Sequence, residues 1–181
     1  MKERNMVISW ATYDWVKDCV VPIMRAPKKF EVLVVCKDNV RQIHNCQIEL
    51  CEDALYAQRA HDLYKIRTEL KLPKLHNLMF NEDDLDIDKL TANIQLSVLL
   101  NNINKVYFSY NKLMLTIMSA VNKKLDIDVY SFDNGSWDSL KHHALGLTDP
   151  EKEKKRKLIQ MCIGDYNNTK QIDDYEIFHK I

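Results

Sequence analysis

A chain of 181 residues, 46% hydrophobic and 29% charged, fits one soluble globular domain with a substantial core. Lys+Arg and Asp+Glu both number 26, so the formal charge is +0 and no global basic field argues for nucleic acid. Only 3 glycines are present, and neither GxGxxG nor GxxxxGK(S/T) occurs, which excludes a glycine-rich phosphate loop.

The short apolar run Met6-Val7-Ile8 predicts a buried strand over 6–10. Thr12 and Asp14 follow it, and apolar residues then recur at helical spacing over 15–25. Pro22 disturbs the last turn and Pro27 closes the segment. Phe30 to Cys36 is a continuous Val/Leu run, the pattern of a strand buried on both faces of a parallel sheet. Lys37-Asp38-Asn39 lie at its carboxyl end, and 40–50 form a mixed connection. A long helix is predicted over 51–71, with Leu55, Leu63, Ile66 and Leu70 on its apolar side and Pro73 beyond its end. His76 to Phe80 predicts a third strand, which runs into the acidic loop Asn81-Glu82-Asp83-Asp84. Asp86 or Asp88 caps the next helix, which extends to about Asn101. Lys105 to Tyr110 is a fourth strand, and Asn111 opens a helix over 113–124. Ile127 to Phe132 is a fifth strand, leading into the turn Asp133-Asn134-Gly135. Asp149-Pro150 starts the last helix, which Gly164 ends. The tail, 165–181, holds either a short strand or an irregular docked segment.

Strands thus alternate with helices, and short right-handed crossovers turn that alternation into a parallel sheet between helical layers. The expected fold class is α/β, a three-layer sandwich with a mainly parallel five-stranded sheet in the order 3-2-1-4-5. No linker divides the chain, so 1–181 reads as a single domain with 165–181 as its tail. In such sheets ligands gather at the carboxyl ends of the strands. Topology alone therefore nominates Asp14, Lys37, Asp38, Asp83, Tyr110, Asn111 and Asp133 to line a pocket.

Residues 1–5 are polar and the next apolar run is short, so no signal peptide is expected, and no stretch approaches the roughly 20 apolar residues of a membrane span. The five cysteines, Cys19, Cys36, Cys46, Cys51 and Cys162, form no CxxC and fit reduced thiols in a cytoplasmic protein. The wealth of Lys, Asn and Ile fits an AT-rich genome, large phages included.

The order of elements resembles the PIG-L/LmbE-like N-acetylglucosaminyl deacetylases, Rossmann-like zinc hydrolases. Their first strand ends in Ala-His-Pro-Asp-Asp-Glu, where this chain reads Ala11-Thr12-Tyr13-Asp14-Trp15-Val16. Their Arg-x-x-Glu, which opens a long helix, is matched by Arg59-x-x-Asp62, and their Asp- and Leu-bearing loop by Asp83-Asp84-Leu85. Asp128 to Phe132 looks like the family's late strand, and Tyr166-Asn167-Asn168 echoes its closing Tyr-x-Ser-Gln. The resemblance covers about Met6 to Tyr166, and the collinear order carries most of its weight.

The resemblance implies a general base at Asp14, zinc ligands at Thr12 and Trp15, and a further ligand after the fourth strand. There the family's His-Pro-Asp-His is replaced by Ser109-Tyr110-Asn111-Lys112. Catalytic zinc takes about three His, Cys or carboxylate ligands, and Thr, Trp and Asn supply none of these. No metal and no cofactor is therefore expected. Asp14 reads either as a helix N-cap or as a catalytic group. Thr12, Lys37, Arg59, Tyr110 and Asn111 are the ligand-binding candidates. Adjacent His142 and His143, placed on a helix, would diverge by about 100° and suit a surface or capping role better than one metal. His44, His61, His76 and His179 read as structural or boundary residues. The run Lys152 to Lys157 includes Glu153 and reads as a solvated helix face rather than a nucleic-acid patch. Trp10, Trp15 and Trp137 read as core packing or as platforms for sugar or base stacking.

Three functions follow. The chain is a zinc-free deacetylase relative that binds a sugar, nucleotide or nucleotide-sugar. Alternatively it is a rewired metal-independent enzyme built around Asp14. The third reading is a non-enzymatic module for a protein partner. Fold alone does not choose among them.

Overall fold

The structure is a computed structural model and describes residues 3–10, 12–36, 52–80, 85–132, 142–163 and 174–181, with the side chains at 36, 52–59, 79, 142 and 163 left aside. In chain order the elements are β1 (Asn5–Ser9), α1 (Thr12–Asp18), α2 (Val20–Arg25), a 3-10 turn (Pro27–Lys29), β2 (Phe30–Cys36) and α3 (Glu52–Leu70). They continue with β3 (Lys74–Phe80), α4 (Ile87–Leu100), β4 (Lys105–Ser109), α5 (Lys112–Leu125) and β5 (Asp128–Phe132). β6 (His142–Gly146), α6 (Asp149–Ile163) and β7 (Tyr175–Lys180) complete the described chain.

One sheet runs through the molecule in the order β3-β2-β1-β4-β5-β7-β6. β1 to β5 pair in parallel, in the expected order 3-2-1-4-5. The sheet is larger than the five strands predicted, because β7 and β6 extend it antiparallel beyond β5. The tail therefore takes the short-strand form. His142 and His143 lie on a strand, not on a helix.

Alternating residues of β1 and β2 explain the three layers. Val7, Val32 and Val34 face one core with Trp15 and Val16 of α1, Ile66 of α3 and Leu158 of α6. Met6, Ile8, Leu33 and Val35 face a second core with Leu90 and Ile94 of α4 and Met114 and Ile117 of α5. A central strand buried on both sides needs apolar residues at every position, which is why the run reads as continuous rather than alternating. Each fully buried Val, Leu, Ile or Phe side chain stabilises the fold by about 1.5–3 kcal/mol.

The helix expected over 15–25 is two helices. Pro22 has no N–H, and its ring crowds the carbonyl four residues earlier, at Asp18, where α1 stops. The chain restarts at Val20, which places Pro22 in the first turns of α2, where a missing N–H is tolerated. Of the two capping candidates, Asp86 is the cap, accepting a hydrogen bond from the Lys89 N–H at 2.9 Å; Asn111, expected to open a helix, does so as its N-cap, accepting one from the Met114 N–H at 2.7 Å. Gly164 and the Tyr166-Asn167-Asn168 echo lie outside the described residues. No described helix is long and apolar enough to cross a membrane.

Candidate functional site

The sheet order reverses at β1, whose neighbours are β2 on one side and β4 on the other. In open α/β sheets a crevice forms at the carboxyl ends of the strands that flank such a switch point. Here those ends are Ser9-Trp10 and Ser109-Tyr110, held level by the register Ile8↔Phe108. The Trp10 N–H donates to Ser109 Oγ at 2.9 Å, which ties the two ends directly. The Tyr110 N–H donates to the Phe132 carbonyl at 3.2 Å, so the end of β5 joins the same rim. The rim is therefore braced across three strands.

α1 begins within three residues of β1 and brings Thr12, Tyr13 and Asp14 to this rim. The N-cap reading of Asp14 is corrected, because α1 already includes Thr12 and Asp14 stands inside its first turn. A carboxylate there complements the unpaired N–H groups and positive end of the helix dipole. Asp14 is half-buried, and Tyr110 across the rim is 49% exposed.

The positions that hold zinc in the resembled family have other occupants and other work. Thr12 is buried at the start of α1. Trp15 is 0% exposed and packs in the core between the sheet and α3 and α6. Asn111 spends its carbonyl oxygen as the N-cap of α5. An indole, a hydroxyl and a carboxamide committed in this way do not fit a catalytic zinc.

Of the sequence candidates, the fold brings Thr12, Asp14, Tyr110 and Asn111 to neighbouring strand ends. Lys37, Asp38, Asp83 and Asp133 lie outside the described residues, as does the turn Asp133-Asn134-Gly135. Arg59 is on α3, but its side chain lies outside the description. His143 sits on β6, two strands beyond β5, with its ring 6.1 Å from that of Tyr130. His76 is on the edge strand β3, with Nε2 3.9 Å from the Glu31 carboxylate. Among the described residues, no group of three or more His, Cys, Asp or Glu could hold a metal ion.

One polar cluster escaped the sequence reading. Glu176 of β7 and Lys155 of α6 form a buried ion pair, Nζ to Oε1 2.8 Å. The same carboxylate accepts the Val20 N–H at 3.1 Å and the Val21 N–H at 2.9 Å. Glu176 thus takes up amide donors freed where Pro22 divides the helix. Burial pushes its carboxyl up to about 7, against the opposing pull of Lys155 and the two amides. Burial also pushes the neighbouring Cys19 thiol well up. The other end of α2 is clamped as well. Arg25 makes a bidentate pair with Glu151 at 2.8 and 3.0 Å and donates to the Gly146 carbonyl at 2.6 Å. Glu151 in turn accepts the Thr148 N–H at 2.8 Å and the Thr148 hydroxyl at 3.0 Å at the start of α6. Arg25 holds the Glu151 carboxyl down to about 2. A signal for Glu176 did exist: it sits two residues before Phe178, so both share one face of a strand.

No protein-family model and no curated protein matches the chain. Solved structures do. A deacetylase of teicoplanin biosynthesis, in complex with teicoplanin, superposes with TM-score 0.72 at 10% identity, covering 98% of this chain and 97% of that one. N,N'-diacetylchitobiose deacetylase from Pyrococcus horikoshii gives 0.72 at 12%, covering 99% and 84%. The 4-carboxy-2-hydroxymuconate hydratase from Pseudomonas putida gives 0.72 at 14%, covering 99% and 96%. The shared architecture, with β1 central in a sheet of order 3-2-1-4-5, shows that this chain has the fold of the PIG-L/LmbE-like deacetylases.

Proposed function

We propose that this chain is a divergent, zinc-free relative of the deacetylases that binds a sugar, nucleotide or nucleotide-sugar at the rim between β1 and β4 without hydrolysing it. The observation that carries the reading is Trp15. A residue at a metal-ligand position of the resembled motif is wholly buried in the core, while Asp14 beside it stays at the rim. Without zinc, no water is activated by a metal at this rim. The polar groups that remain suit binding. Asp14 accepts hydrogen bonds from ligand hydroxyl or amine groups, Tyr110 offers a ring and a hydroxyl, and Lys37 or Arg59 meets a phosphate or carboxylate. A deacetylase of this fold, solved in complex with teicoplanin, supports the reading that a ligand is bound.

A second reading, a rewired enzyme that uses Asp14, draws on one observation: a hydratase shares the fold. A thermal-shift screen in EDTA with monosaccharides, nucleotides and nucleotide-sugars tests the first reading. A ligand that raises the melting temperature of the wild type but not of Asp14→Ala supports it. A screen in which nothing binds, or in which every hit survives Asp14→Ala and Arg59→Ala, favours the protein-interaction module instead. Turnover of a hit in EDTA favours the rewired enzyme.

A further inference from the structure

Glu176 of β7 closes the gap between two helices that share no hydrogen-bond ladder. α1 stops at Asp18 and α2 starts at Val20, so Cys19 alone joins them. The carboxylate that takes the Val20 and Val21 N–H groups comes from more than 150 residues away. It is 2% exposed, and its cation, Lys155, is 3% exposed. A buried ion pair is weak support for a fold, because apolar residues of similar volume often serve as well or better. This pair sits at a hinge. α1 is seven residues long, with Thr12 and Asp14 in its first turn at the rim and its other end against the pair. Cys19, wholly buried, lies between them.

We propose that Glu176 is a proton-operated latch on the hinge between α1 and α2, closed while its carboxyl is neutral and released when the carboxylate is drawn out to water. The groups that face it are few. Lys155 of α6 and the two amides favour the charged form, and burial outweighs them. Cys19 stays a neutral thiol, with Asp18 beside it. Arg25 of α2 has its charge taken by Glu151. Tyr107 of β4, whose ring meets Phe178, is held neutral by burial. The carboxyl therefore titrates at about 7 when latched and at the ordinary 4.5 once released. A group that binds its proton more tightly in the closed state suppresses opening at low pH and permits it as pH rises through the closed-state value. Between about pH 6 and about pH 8 the opening equilibrium should rise about tenfold. Because α1 spans from the latch to the rim, release also loosens the placing of Asp14, whatever the rim binds.

Thiol labelling of the full chain, read residue by residue by mass spectrometry, tests the proposal. Cys19 is 0% exposed and reacts only when the hinge opens; Cys162, 2% exposed near the end of α6, reports unfolding of the core. Each rate is taken relative to the same thiol in the urea-unfolded chain at the same pH, which removes the ionisation of the thiol itself. Cys19 should label ahead of Cys162 at every pH, and its relative rate should rise about tenfold from about pH 6 to about pH 8. Glu176→Gln should abolish that rise. Lys155→Met removes the cation that favours the carboxylate, so the rise should move to higher pH. This variant carries the test alone if Glu176→Gln does not fold. A flat wild-type profile, a rise that survives Glu176→Gln, a midpoint that Lys155→Met leaves in place, or a Cys19 that reacts no sooner than Cys162 would each overturn the proposal.

Discussion

Asp14, Trp15, Asn111 and Glu176 each carry a single-residue prediction. Asp14 lies within the first turn of α1, so Asp14→Ala should lower stability by only about 0.3–1 kcal/mol through the helix dipole. Any ligand affinity at the rim should fall by more than that. Asn111→Ala removes the cap of α5 and should cost about 1 kcal/mol in chemical denaturation. Trp15→Asp, which would restore a carboxylate at the resembled ligand position, should unfold the protein rather than recruit zinc, because the site is a closed core. Glu176 is the pH-sensitive group. Its carboxyl in the fold titrates at about 7 against an ordinary 4.5, so the folded chain binds the proton more tightly than the unfolded chain. That linkage contributes stability below about 4.5 and loses it as pH rises through about 7. Glu176→Gln should flatten this slope in denaturation curves measured across the range. At neutral pH the loss of stability should be small, since the native carboxyl is already about half protonated there and the amide mimics that neutral form.

Among the elements, α2 shows best what the sequence did and did not disclose. Pro22 was visible as a disturbance, but a local pattern does not say where the displaced N–H groups find acceptors. The acceptor, Glu176, lies more than 150 residues away. β6 was hidden, and β7 was legible only as one of two forms for the tail, for a related reason. Their antiparallel pairing joins segments whose only local signals are short, such as Tyr175-Glu176-Ile177-Phe178. The five parallel strands were legible because β2 advertises burial on both faces, and alternation with helices then restricts the topology. At the rim, chain order placed Asp14, Tyr110 and Asn111 at the strand ends, and the family resemblance added Thr12. The role of Asn111 as a cap was legible too, but the burial of Trp15 was not, since it follows from packing against α3 and α6. If Glu176 moors α2, hydrogen exchange at the Val20 and Val21 amides should accelerate in Glu176→Gln, with exchange in α5 unchanged. Equal acceleration in both helices would point instead to a general loosening.

At the scale of the whole molecule, the fold of the deacetylases is present, and on the proposed reading the residues at the resembled metal positions no longer hold zinc. A likeness at 10–14% identity carries the architecture and not the activity. The proposed function places the ligand at the strand ends around Asp14. The most direct measurement is calorimetric titration of UDP-N-acetylglucosamine, a probe with both sugar and nucleotide, into the protein in EDTA. The account predicts saturable binding without metal, weakened at least about tenfold by Asp14→Ala. Binding that appears only when zinc is added, or that Asp14→Ala leaves unchanged, would contradict it.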